Sequence, residues 1–527
     1  MREKTQFTYR WWGKGDIDAS FGIFFDGFSK ILTATGIMTI VFGMPAQVVI
    51  GKVVPGIGLA IFLGNLWYFY EARQLAVKEQ RQDVTSQPFG IGASQLSGWL
   101  YLIIGPVYWQ TKDANLALQV GIAAAFIGGL VEIAGGFMGR WIIEKVPNSA
   151  LMGNMASSAM VWLSIVGLAM VFDKPVYAVL PLFIIIIDYL GKADKRFAKI
   201  PSGVIAIVIG TAAAWAGGYL TMDNFRQSFE GLGFYPPVLS ISDIIAGFKG
   251  IVPFLPVIIP LQINNFLSTL QGIQSAKMAG DVYPERRSMV MDGVSTLTGA
   301  MFGNPFPTTV YFGHPGWKEL GARAGFSLVN AAAYLLICTT GLTGVLMALI
   351  PTEAVMVLLI FVGFSVTDST FRSMDKKYYI VILLSMVPIL FQYMQTLVSS
   401  AVQAAGGTMG TITPEMFAEF SVPIQGIMYL GNGGFLTSLL LAGLLACVVD
   451  KKYRMAGGFA GVMAVCAGIG MIHCEGIALL SGPGVVFGLI YLSVAALLFA
   501  KAHFFEAQGA AAQEARPQRA ASQDTSS

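Results

Sequence analysis

Within the stretch from Pro256 to Gly272, Gln262, Asn265, Thr269 and Gly272 recur at helical spacing on one stripe, while Ile259, Ile263, Phe266 and Leu270 face elsewhere. Amides and hydroxyls in such a row offer donors and acceptors to the edge of a flat polar ligand, or to a neighbouring helix. A second group of candidates lies between Asn304 and Trp317. This stretch holds Thr308, Thr309, Phe312, His314 and the prolines Pro305, Pro307 and Pro315 inside an otherwise apolar region. A straight membrane helix is not written this way, because each proline leaves a backbone carbonyl unpaired where no water can satisfy it. Broken backbone at that depth is expected only where it is buried by protein or lines a polar cavity. The earlier stretch from Gln87 to Trp99 follows the same plan, a polar residue and Pro-Phe leading to Gly-Trp, and adds Phe89, Gly90 and Gly92 as candidates. If each break resumes as a half-helix, its first N–H groups are free and carry partial positive charge. Phe89, Phe306 and Phe312 could wall the space between them, or simply pack.

Charges inside apolar segments are costly and therefore informative. Asp26 and Lys30 stand four residues apart and can neutralise each other; Glu132 has no cation near it in sequence before Arg140; Asp292 follows Arg286 and Arg287. His314 can titrate near neutral pH. Asp26, Glu132, Asp292 and His314 are thus candidates for coupling to H+ or Na+, each with a structural pairing role as the alternative. There is no nucleophile–base pattern, phosphate loop or metal-ligand spacing, so no enzymatic activity, cofactor or metal is expected. Cys338, Cys447, Cys466 and Cys474 read as thiols packed among helices.

The elements that must position these residues are membrane helices. Of 527 residues 55% are hydrophobic and only 12% charged, so lipid is the solvent for most of the chain, and a net charge of +3 gives no reason to expect nucleic acid as a partner. Apolar runs give about sixteen crossings. With the N-terminus inside, most lysines and arginines fall on one side of that count, which predicts a multi-pass protein with both termini cytoplasmic; the membrane expected for it is a bacterial cytoplasmic (inner) membrane. The chain divides into a cytoplasmic segment 1–20, a first half 21–220, an outer linker 221–248, a second half 249–450, extra C-terminal helices 451–504 and a tail 505–527 whose composition reads as disordered.

Pro88-Phe89-Gly90-Ile91, the run from Ser275 to Asp281, Asp292-Gly293 and Phe306-Pro307-Thr308-Thr309 resemble the xanthine/uracil permease (nucleobase:cation symporter-2) family, and the run from Gly313 to Lys318 resembles one subgroup of its purine-permease-like branch. The resemblance implies an all-α polytopic fold of two inverted repeats of seven transmembrane segments, forming core and gate domains. It implies broken third and tenth helices carrying short strands, with about two helices added at the C-terminus. It further implies a substrate held among helices three, eight and ten, alternating access, and a homodimer formed through gate domains. The family's acids are missing at Gln262–Asn265 and Val310–Phe312, so any proton coupling must use other residues. The resulting expectation is a secondary carrier for a nucleobase or similar planar amide-bearing compound. The alternatives are a small-anion transporter of SulP-like type, and a passive channel or substrate-sensing membrane protein.

Overall fold

The computed structural model describes residues 7–191, 202–311, 313–407, 413–475, 479–480 and 482–523. The protein is an all-α polytopic membrane protein. Among the described residues, seven helices are long and apolar enough to cross a membrane, or up to nine if two sharply bent helix pairs each count as one span. The expectation of about sixteen counted apolar runs, and many of those runs are not long straight helices. Two are broken by strands, Pro175–Gly191 and Ser202–Ala216 are short, and the polar stripe dilutes Leu255–Met278.

The chain forms two compact units, one made of Met1–Ile142 with Ser158–Asp368, the other of Ile143–Ser157 with Ser369–Ser527. Their boundary does not fall in the polar linker 221–248. In the first unit, α1 (Asp16–Gly36) and α2 (Val54–Glu79) precede strand β1 (Phe89–Ile91). The chain continues as α3 (Ala93–Trp99), which runs through a π-helical turn into Gly105–Thr111, and then α4 (Ala114–Lys145). The polar stripe lies on α5 (Leu255–Met278), followed by α6 (Glu285–Met301), strand β2 (Thr308–Val310), the short α7 (His314–Glu319) and α8 (Gly325–Thr339). The Asp16 carboxylate accepts from the backbone N–H groups of Arg323 (3.1 Å) and Phe326 (2.9 Å), capping the start of α8.

The two breaks meet. Strands β1 and β2 pair antiparallel, Phe89 opposite Val310, Gly90 opposite Thr309 and Ile91 opposite Thr308. Tyr311 N–H donates to the Pro88 carbonyl (2.7 Å) and Gly92 N–H to the Pro307 carbonyl (3.3 Å), so each proline, unable to donate, sits at a strand start and serves as an acceptor. The pairing answers the backbone problem set by the prolines, because each segment supplies the partners the other lacks. Close packing on α5 depends on Gly272, where a Cβ would come within 2.9 Å of the Val310 side chain.

In the second unit Gly434–Val449, Tyr453–Gly468 and a final helix Pro483–Gln523 pack around Leu436, Leu440, Ala460, Met463 and Ala467, and Tyr379–Ala404 packs against Gly434–Val449. The last helix takes in most of the stretch after Phe505 whose composition reads as disordered; its alanines, glutamines and arginines are strong helix formers.

Candidate functional site

The stripe on α5 faces the paired strands. Asn265 Nδ2 donates to the Thr308 carbonyl (2.8 Å) and to the carboxylate of Glu132 on α4. One turn on, Thr269 Oγ1 donates to Asp292 on α6 and is 2.8 Å from Thr309 Oγ1. Thr308 Oγ1 donates to the other Asp292 oxygen (3.1 Å), and Thr308 N–H donates to Thr296 Oγ1 (3.0 Å). Glu132, Asp292, Gln262, Asn265, Thr269, Thr308 and Thr309 are all buried. Helices α4 and α6 touch here through paired glycines, since a Cβ on Gly293 would come within 2.7 Å of the Gly129 carbonyl oxygen.

The cluster is not saturated. Among the described residues neither amide atom of Gln262 has a hydrogen-bond partner, nor does Asn265 Oδ1. Gly128 on α4 leaves the space that the Gln262 amide occupies, and a Cβ on Gly92 would lie 3.0 Å from Asn265 Oδ1. Glycines at Gly92 and Gly128 therefore bring backbone and amides together where a side chain would separate them. Buried polar atoms without partners cost about 1–3 kcal/mol each, and Gln262 and Asn265 leave three of them beside the strand crossing. Two buried carboxylates stand beside them: among the described residues no lysine or arginine is bonded to Glu132 or Asp292, whose partners are the neutral donors of Asn265, Thr269 and Thr308.

The remaining sequence candidates fall in three places. Gly90 and Gly92 belong to the strand crossing, and Gly90 lies under the hydroxyl of Tyr311. Phe89 is buried with its ring 5.1 Å from that of Tyr68, and Phe306 is buried as well, which is packing. Phe312 lies outside the described residues. Asp26 is paired with Lys30 at 2.7 Å. His314 is held elsewhere, its Nε2–H donating to the Thr85 carbonyl (3.0 Å) beside Asp281 (3.3 Å). Asp281 also receives Lys318 (2.5 Å), Arg81 (3.1 Å) and Thr85 N–H (3.0 Å), so this is a charge network between α7 and the turns that follow α2 and α5. Burial works against ionised Asp281, but hydrogen bonds from His314 and Lys318 prevail and hold its carboxyl below the usual range.

Sequence reasoning missed Thr296, which stands one turn from Asp292 on the same helix and was legible as its i+4 neighbour. It also missed the contact of Lys30 with Tyr311, for which the sequence carries no signal. The expected half-helix ends are unequal. The helix that begins at Ala93 is long, but α7 has only six residues, too few for a substantial dipole. A cleft of about 410 Å³ opens in the second unit, lined by Lys145, Asn148, Asp375, Tyr378, Asp450 and Lys452. Its Asp450 is already bound by Lys377 (2.8 Å) and Tyr378 (2.7 Å), which leaves a surface ion-pair cleft rather than an unsatisfied site.

No protein-family model matches the chain, and no curated protein matches it. Solved structures do. The transmembrane domain of a cyanobacterium bicarbonate transporter, BicA, is 15% identical with a TM-score of 0.48, over 71% of this chain and 94% of that one. The overall structure of SLC26A9 is 14% identical with a TM-score of 0.48, over 70% of this chain and 62% of that one. The murine Solute Carrier 26 family member A9 anion transporter in its inward-facing state is 14% identical with a TM-score of 0.48, over 71% of this chain and 65% of that one. A similarity of this extent fixes neither substrate nor coupling. The resemblance to xanthine/uracil permeases is nevertheless corrected: the structural neighbours are transporters of the SLC26/SulP type, and two of the motifs that carried it, around Phe89–Ile91 and Thr308–Val310, are the paired strands.

Proposed function

We propose that this protein is a secondary carrier, not an enzyme, and that it moves a small anion together with a proton or sodium ion across a bacterial cytoplasmic membrane. The observation that carries the reading is the unsatisfied cluster at the strand crossing, where the Gln262 amide and Asn265 Oδ1 stand without partners beside the buried carboxylates Glu132 and Asp292. A channel needs no such site. A carrier needs a buried set of polar groups that a substrate completes and then leaves. The Gln262 N–H groups and the backbone at the start of α3 can donate to anion oxygens, while Gln262 Oε1 and Asn265 Oδ1 can accept from a hydroxyl.

The acids make the anion conditional. An anion entering beside two bare carboxylates is repelled, so it enters only when a cation or proton has come first, and that order couples the two fluxes. In the alternating-access frame the site moves between faces with both aboard. A homodimer and two cytoplasmic termini complete the proposal.

The test is uptake into proteoliposomes loaded and diluted with labelled bicarbonate, formate or sulfate, with and without proton and sodium gradients. Saturable, gradient-driven anion uptake with counterflow is expected. A neutral planar amide such as uracil would also satisfy both atoms of Gln262; competition by uracil but by no anion would overturn the anion assignment. Flux that neither saturates nor shows counterflow would overturn the carrier.

A further inference from the structure

Lys30 is a buried cation on α1, and the site described above does not use it. Its ammonium lies 2.7 Å from Asp26 Oδ2 and 3.5 Å from the ring centroid of Tyr311, the residue that leaves β2 and whose hydroxyl rests on Gly90 of β1. The cation therefore sits against the strand crossing itself. It is under-bonded: an ammonium has three donors, and among the described residues only the bond to Asp26 is made, with Tyr311 offering a ring face. Asp26 is under-bonded too, since its Oδ1 has no partner although it is buried.

A structural ion pair inside a membrane protein is expected to fill its hydrogen bonds, because unfilled ones forfeit the energy that offsets desolvation. This pair leaves a donor and an acceptor open beside the face of the Tyr311 ring. Resting on the anion reading above, we propose that Lys30 is the residue that selects a carboxylate-type anion, and that Asp26 is its resident competitor, occupying Lys30 until substrate takes its place. The class of ligand is a small planar carboxylate, R–COO⁻, of which bicarbonate and short organic acids are two sources. A planar carboxylate can accept from Lys30 as Asp26 does, and its remaining oxygen or hydroxyl can meet the free Asp26 Oδ1 through a proton.

The experiment uses the full chain in detergent and in proteoliposomes, as wild type, Lys30→Gln, Lys30→Arg and Asp26→Asn. Thermal midpoints are measured against sodium bicarbonate, formate and benzoate, with sodium chloride as the control for ionic strength and uracil as the neutral probe. A charge-assisted hydrogen bond corresponds to about ten- to hundredfold in affinity. Asp26→Asn is therefore expected to bind carboxylate at least about tenfold more tightly, Lys30→Gln to lose the response, and Lys30→Arg to recover part of it. Bicarbonate and organic acids acting alike would mark the carboxylate as the recognised unit; a response to one alone would name the source. A Lys30→Gln protein that binds as wild type does, or an Asp26→Asn protein with no gain, overturns the assignment of Lys30 and leaves the carrier reading standing. Should Lys30→Gln not fold, the Asp26→Asn result decides. A wild-type protein responsive to uracil but to no anion overturns both.

Discussion

Replacing Asn265 by alanine removes the side chain that joins three elements of the site. Its Nδ2 group donates to the carboxylate of Glu132 on α4 and, over 2.8 Å, to the carbonyl of Thr308 on β2. A hydrogen bond to a charged group contributes about 1.5–3 kcal/mol and one to a neutral carbonyl about 1, so the site loses roughly 3 kcal/mol of organisation. At about 1.4 kcal/mol for each factor of ten, that is on the order of a hundredfold in transport efficiency. Asn265→Asp supplies a second test: it keeps the shape but sets a third carboxylate beside Glu132, so it should be at least as damaging at neutral pH and partly recover as the medium is acidified. Initial uptake rates would be measured in proteoliposomes at matched protein density, with monodisperse gel filtration showing that each variant folds. Wild-type rates from a correctly folded Asn265→Ala protein would refute the reasoning, because they would show that neither Glu132 nor the strand carbonyl needs this donor for turnover.

Other outcomes follow from the same geometry. Glu132→Gln with Asp292→Asn removes both charges that call for a cation, so residual anion movement should no longer respond to a proton or sodium gradient; retained gradient dependence would place coupling elsewhere. Gly90→Ala puts a methyl group into the Tyr311 hydroxyl, and overpacking of this kind costs about 1–3 kcal/mol. A lowered melting temperature is expected, with partial recovery in Gly90→Ala combined with Tyr311→Phe, since the ring carbon beneath the hydroxyl would still lie 2.7 Å from the added methyl. The hydrogen bond from Arg81 holds the Asp83 carboxyl well below the usual carboxylate range, and Asp281 is also depressed, by His314 and Lys318 against its burial. Both contribute stability that is present above the unfolded value near 3.8 and is lost as pH falls through the folded one, so melting temperature should drop progressively as pH is lowered below about 4. Lys318→Met should flatten that drop; an unchanged acid profile would remove the network from the account.

Much of the site could be read from residue order, and the reasons are local. Proline carries its own signature, so Pro88 and Pro307 marked the breaks, and Phe89–Ile91 and Thr308–Val310 are where the strands form. Periodicity placed Gln262, Asn265 and Thr269 on one face, and that face is the one turned to β2. What stayed hidden depends on contacts between distant segments. Nothing near Glu132 in the chain announces Asn265, 133 residues away. His314 looked like part of the broken stretch, yet the turn at Gly313, with φ of 105°, leads it toward Thr85 and Asp281 instead. Asp26 and Lys30 read as a self-contained pair because spacing shows the bond they make and not the valences they leave open. The family motifs misled for a related reason: Phe-Pro-Thr-Thr reports how backbone is repaired inside a bilayer, and says little about cargo.

Three residues from each side make the only β ladder among the described residues, and its outermost bonds end on prolines. Such a seam cannot unzip halfway, since pulling either edge strands a carbonyl in oil. If the chain is the carrier proposed above, the hinge that turns it from one compartment to the other lies outside the seam, and the knot of strands, amides and acids rides across as cargo bay and floor together.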